Sequence, residues 1–207
     1  KCVVIKNAIE KISFAEKPSD KISLIYHTTP WRGLKILLKV FKNLNLDNVE
    51  LNVCSSTIIY GKKFDSLLGK TYEGLFNECK NTKNVNYFGF LKNEKIIEQL
   101  KKVHIFAHPS IWPETSCIAA IESMAAGCEV VTTNLGALNE TCSPFGKMIN
   151  FEKRPEDLEI KYSEALLDSI KNFWSDTTQK KLKLQRETIN TTYSWDVRSA
   201  EWKKFFD

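Results

Sequence analysis

Metal-ligand clusters, membrane spans and nucleic-acid patches are what this sequence of 207 residues lacks. Its six cysteines, at positions 2, 54, 79, 117, 128 and 142, form no CxxC pair and keep no zinc-ligand rhythm. Several lie in apolar runs, which suits buried free thiols in a reducing compartment, so a cytoplasmic protein is expected. The three histidines have no Cys, Asp or Glu at ligand spacing, and a metal is not expected. No apolar run reaches the length needed to span a bilayer. The net charge of +5 is spread over dispersed lysines, without an arginine cluster or aromatic-basic alternation, which argues against nucleic acid. An anionic membrane surface stays open as a peripheral partner, with Lys180-Lys-Leu-Lys-Leu-Gln-Arg186 as the candidate face. No internal repeat or low-complexity stretch is present.

What remains is a hydrophobic content of 43% with twelve phenylalanines and five tryptophans, enough for one packed domain. Strand-like and helix-like segments alternate, which implies a parallel sheet covered on both faces. Strands are expected near residues 22–26, 49–54, 85–88, 103–107, 130–133 and 147–149. Between them, apolar periodicity marks helices near 34–44, 64–79 (with Leu67, Leu68, Leu75 and Phe76 inward) and 93–102. After Pro155 the strands stop, and 162–173, 178–190 and 195–206 read as C-terminal helices. The chain starts on Lys1-Cys-Val-Val-Ile and is expected to be a piece cut from a longer protein.

The most informative segment is Glu114-Thr-Ser-Cys-Ile-Ala-Ala-Ile-Glu122. Thr115 and Ser116 are good capping types, Gly127 supplies a stop, and Ile118, Ala119, Ile121, Met124 and Ala125 make an apolar stripe. Two carboxylates eight residues apart would be separated by about 12 Å if the whole stretch were helical. Carboxylates accept paired hydrogen bonds from vicinal hydroxyls, and a helix N-terminus attracts phosphate. One segment thus offers something to each part of a sugar diphosphate nucleoside.

The run Phe106-Ala-His-Pro-Ser-Ile-Trp-Pro-Glu-Thr-Ser-Cys-Ile-Ala-Ala-Ile-Glu-Ser-Met-Ala-Ala-Gly127, continued by Val130-Val-Thr-Thr-Asn-Leu-Gly-Ala-Leu-Asn-Glu140, resembles retaining glycosyltransferases of family four. Their E-x7-E motif belongs to the nucleotide-sugar domain of the GT-B fold. The resemblance implies a single Rossmann-like, doubly wound α/β domain over residues 1–207. Residues 1–20 would be the interdomain segment, in which an apolar strand from Val3 runs into a turn at Asn7-Ala-Ile-Glu10, and 156–207 the C-terminal helices, with the acceptor domain N-terminal to this piece.

By that resemblance Glu122 holds the ribose hydroxyls, Glu114 contacts the transferred sugar, and the amides of Thr115, Ser116, Cys117 and Ile118 face the diphosphate. Arg32, before Gly33, would neutralise the diphosphate, and Gly33 would let the backbone approach it. The commoner family pattern carries a second cation where this chain has Tyr26-His27. Either a protonated His27 or the hydroxyls of Thr28 and Thr29 would substitute. Phe88, Gly89 and Phe90 would receive the base, Trp112 would wall the sugar pocket or plug the core, and Gly136 would lie near the phosphates. Glu140 would cap a short helix. His104 and His108 flank a buried strand, where structural roles are commoner, and His108 is the better candidate of the two.

The function expected is transfer of a sugar from a nucleoside diphosphate to an unknown glycan or lipid-linked acceptor, with retention and without metal or cofactor. This piece alone is expected to transfer little. The alternatives are a sugar-nucleotide epimerase on a GT-B scaffold, or a noncatalytic module that binds a nucleotide or a partner.

Overall fold

The computed structural model describes residues 2–206. Six parallel strands form one sheet in the order β3-β2-β1-β4-β5-β6. They are β1 (Ile22–Tyr26), β2 (Val49–Val53), β3 (Val85–Tyr87), β4 (Ile105–His108), β5 (Glu129–Thr133) and β6 (Lys147–Ile149). The central strands are buried along their whole length, as expected of a parallel sheet covered on both sides. On one face lie α1 (Leu34–Leu44), α2 (Lys62–Asn81) and α6 (Pro155–Asn172), packed on Leu24, Tyr26, Leu51, Ile105 and Val131. The other face carries α3 (Asn93–Leu100), α4 (Ile118–Ala125), α5 (Leu138–Cys142) and α7 (Asp176–Thr192), packed on Ile25, Phe106 and Val130. A last helix, α8 (Trp195–Phe206), follows. The doubly wound α/β architecture is the one expected.

β1 pairs with β2 on one side and β4 on the other, so the chain order reverses there. Open sheets of this kind hold ligands outside the carboxyl ends of the strands at that reversal. The loops after β1, β4 and β5 meet at this place.

Four local expectations are corrected. Residues 3–10 form no strand: beyond one isolated bridge between Ile9 and Ser194 the segment is irregular, and Val4 is 87% exposed. Leu67 and Leu68 point outward, Leu67 being 70% exposed. The helix instead uses aromatic contacts, in which Trp31 meets Phe64 and Tyr72, and Phe76 meets Tyr87. α6 begins at Pro155, seven residues before the expected 162, because proline suits a first helical turn. Finally, α4 starts only at Ile118, after Cys117, and no side chain caps it. Thr115 and Ser116 are kept from capping because Glu114 is drawn into a strand-like bridge with Gly136. No helix among the described residues is long and apolar enough to cross a membrane.

Candidate functional site

The site residues fall into two neighbouring groups at the carboxyl ends of β1 and β4. The first lines a cleft of about 360 Å³ whose walls include His27, Thr28, Phe90, Asn93 and Glu122. Glu122 stands on the second turn of α4, half-buried, and its Oε1 accepts a hydrogen bond of 2.8 Å from Asn93 Nδ2. Burial pushes its carboxyl above the ordinary value, and the bond from Asn93 pulls the other way. The hydroxyls of Thr28 and Thr29 are buried and meet no protein partner. Such orphaned groups are uncommon in folded proteins and are a reason to look for a ligand.

The second group is an ion pair. Arg32 Nη1 donates to both oxygens of Glu114, at 2.8 and 2.9 Å. Glu114 is only 5% exposed. Burial raises its carboxyl, more than Arg32 lowers it. The backbone explains why these two residues meet. Gly33 adopts φ +131°, and a Cβ there would fall 2.2 Å from the Pro109 carbonyl oxygen. Gly136, at φ +62°, would place a Cβ 2.5 Å from the Glu114 carbonyl oxygen. On its Cβ side each glycine admits protein backbone. The two contacts draw the loops after β1 and β5 against the loop that carries Glu114.

His27 is half-buried, and its surroundings push its imidazole down to about 3, against the protonated form that the first alternative needs. Ser123 Oγ donates to the Ala119 carbonyl at 2.7 Å and so accepts from His27 Nε2 at 2.9 Å. The ring packs on Phe106, with centroids 4.7 Å apart, and Phe106 stacks on His108 at 5.1 Å. His108 is fully buried, is held near pKa 3 by burial, and leaves both ring nitrogens without a partner. His104 is structural: Nδ1 accepts from Ser23 N–H at 2.9 Å and Nε2 donates to the Pro18 carbonyl at 2.8 Å.

The remaining residues are more dispersed. Cys117 lies in the core just before α4, its thiol pushed up to about 12 by burial. Ser116 Oγ accepts from Asn7 Nδ2 at 2.9 Å, Thr115 is exposed, and Ile118, expected on the apolar stripe, is 45% exposed. Trp112 is 47% exposed, which excludes the core-plug alternative. Phe90 lines the cleft, whereas exposed Phe88 and Gly89 do not. Gly89 takes φ +65°, where a Cβ would meet the Tyr87 ring at 3.8 Å, which is turn chemistry. Glu140 lies inside the first turn of α5 and does not cap it. In the basic stretch Leu182 is buried, Lys181 pairs with Glu129, and Arg186 covers the Phe14 ring.

Asn93 and Ser123 were not anticipated. Each reads as an ordinary helix residue in sequence, and only folding brings Asn93 to Glu122 and Ser123 to His27. Among the described residues no group of three His, Cys, Asp or Glu side chains could hold a metal ion.

A six-stranded parallel sheet, with polar groups gathered at the strand-order reversal, defines a Rossmann-like α/β domain. The sequence is more specific: residues 6–185 match Glycosyl transferases group 1, and the chain belongs to that family. Among solved structures it is similar to a glycosyltransferase from Rickettsia africae ESF-5 (TM-score 0.71, 19% identity, 91% of this chain and 48% of that one). Sucrose-phosphate synthase from Thermosynechococcus elongatus gives a TM-score of 0.76 at 17% identity, over 98% of this chain and 51% of that one. HepE from Anabaena, in complex with UDP-glucose, gives 0.65 at 15% identity, over 90% and 49%. The chain thus spans about half the length of the structures it matches. No curated protein matches it.

Proposed function

We propose that this chain is the C-terminal, nucleotide-sugar half of a family-four retaining glycosyltransferase of GT-B type. The observation that carries this reading is Glu122, a half-buried carboxylate beside the orphaned Thr28 hydroxyl, in a cleft at the strand-order reversal. A carboxylate so placed accepts two hydrogen bonds from a ribose diol. The diphosphate then lies between the start of α4 and Arg32, where the first helical amides and the guanidinium favour its charge. Thr28 and Thr29 donate hydroxyl hydrogen bonds in place of the second cation. Glu114 faces the transferred hexose.

Transfer is driven mainly by stabilising the charge that grows on the departing diphosphate. The acceptor hydroxyl attacks C1 from the side that the diphosphate leaves. The C1–oxygen bond to the acceptor forms as the C1–phosphate oxygen bond breaks, and the acceptor proton passes to the departing diphosphate. No protein nucleophile and no metal are invoked, and the acceptor site belongs to the other half of the enzyme. An epimerase is less well supported, because half-buried His27 and buried His108, both pushed down to about 3, are poor acid-base groups.

A UDP-sugar is the first donor to try, since a neighbour of the same fold is seen with UDP-glucose. Calorimetric titration of the chain with UDP-glucose and GDP-mannose, repeated on Glu122→Ala, tests the proposal. Losing two charge-assisted bonds should weaken the preferred donor roughly 10- to 100-fold, with the melting temperature little changed. Undiminished binding by Glu122→Ala would refute the ribose assignment.

A further inference from the structure

The Arg32–Glu114 pair is well made and largely desolvated, with side-chain exposures of 23% and 3%. Removing either partner would strand a buried charge. Yet its surroundings are not satisfied. Arg32 Nε, both nitrogens of His108, and the hydroxyls of Thr29 and Thr132 are buried without partners. His108 and Thr132 are cross-strand neighbours on β4 and β5. A closed structural ion pair does not require such a neighbourhood, whereas a site that takes up further oxygens does. The backbone about the pair is fixed. Ile111 N–H donates to the Arg32 carbonyl at 3.3 Å, and Ala137 N–H donates to the Glu114 carbonyl at 2.7 Å. Only the two side chains are free to change partners.

We infer that this pair is an exchangeable latch linking recognition of the diphosphate to recognition of the sugar. Phosphate oxygens compete with Glu114 for the guanidinium, and the freed carboxylate turns to the sugar hydroxyls. The inference rests on the donor-site reading above and adds an asymmetry to it. A sugar diphosphate nucleoside takes Arg32 and offers Glu114 new donors in return. The nucleoside diphosphate left after transfer takes Arg32 and leaves Glu114 buried without a partner. The latch therefore favours donor over product and helps expel the spent nucleotide.

The test is calorimetric titration of the wild type, Glu114→Gln and Glu114→Asp with UDP and UDP-glucose, and with GDP and GDP-mannose in parallel. With the competing charge-assisted bonds gone, Glu114→Gln should bind bare UDP (or GDP) roughly tenfold tighter than the wild type. It should also lose the wild-type preference for the sugar-bearing ligand. Glu114→Asp keeps the charge but reaches one methylene less far, and should shift the same way by a smaller factor. It decides the matter if the Gln variant does not fold. Bare-nucleotide binding that is unchanged or weakened in the variants would overturn the latch while leaving the donor site standing. Absence of nucleotide binding by the wild type and both variants would overturn the donor site and the latch together.

Discussion

His104 and His108 bracket β4 four residues apart, and their surroundings differ in kind. At the amino end, His104 has both ring nitrogens bonded to backbone groups, while Ser23, Glu50 and Lys21 form a connected network. At the carboxyl end, His108, Thr28, Thr29, Ser55 and Thr132 all bury polar atoms that bond to nothing in the protein. Among the described residues, the amino ends of the strands leave one such atom, Glu129 Oε2. The same strands thus serve two purposes. One edge is finished as structure, and the other keeps hydrogen-bonding capacity in reserve, as the proposed donor site requires.

The largest effect is expected from closing the fixed loops of the binding edge. Gly136→Ala must adopt φ +62° and place a Cβ within 2.6 Å of two Glu114 backbone atoms, so something has to move. A loss of about 3 kcal/mol in urea unfolding is expected, from backbone strain and overpacking together. The two histidines sharpen the comparison next. His104→Phe strands the Ser23 amide and the Pro18 carbonyl, and should destabilise by about 2 kcal/mol. His108→Phe keeps the ring stack on Phe106 and removes only orphaned nitrogens, so its stability should stay within about 1 kcal/mol of the wild type. Equal losses in the two variants would erase the distinction between the edges.

The comparison extends to pH dependence. Both His27 and His108 are held near 3 by burial, against an ordinary 6.5, so below that pH the unfolded chain takes up protons first. Stability should be full above pH 6.5 and fall toward pH 3, by up to about 1.4 kcal/mol per pH unit for each group. Glu114 and Glu122, whose carboxyls burial raises, bind protons more readily when folded and oppose the trend at its acid end. Urea midpoints at pH 7, 6 and 5 should decline less steeply in His108→Phe. An unchanged slope would mean that His108 does not contribute.

The fold was legible because its strands are short apolar runs punctuated by turn residues, and a strand such as Ile22–Tyr26 has every side chain buried. Register within α2 was not legible. Leu67 and Leu68 look like core residues, but the aromatic side chains of Phe64, Tyr72 and Phe76 make the ring contacts to Trp31 and Tyr87. At the site, the acidic pair and Arg32 could be read from residue types and order. That Arg32 and Glu114 would bond each other could not, because residues 82 positions apart meet through Gly33 and Gly136. That His27 would be pushed down was equally hidden, since its partial burial comes from Phe106 and Ser123 on other elements.

The bridge between Glu114 and Gly136 also sets a tempo. With the main chain clamped there, a change of partner at Glu114 proceeds by rotation about side-chain bonds, without the microsecond-to-millisecond excursions of a moving lid. Exchange of partners at this corner should then be fast beside any movement of the main chain.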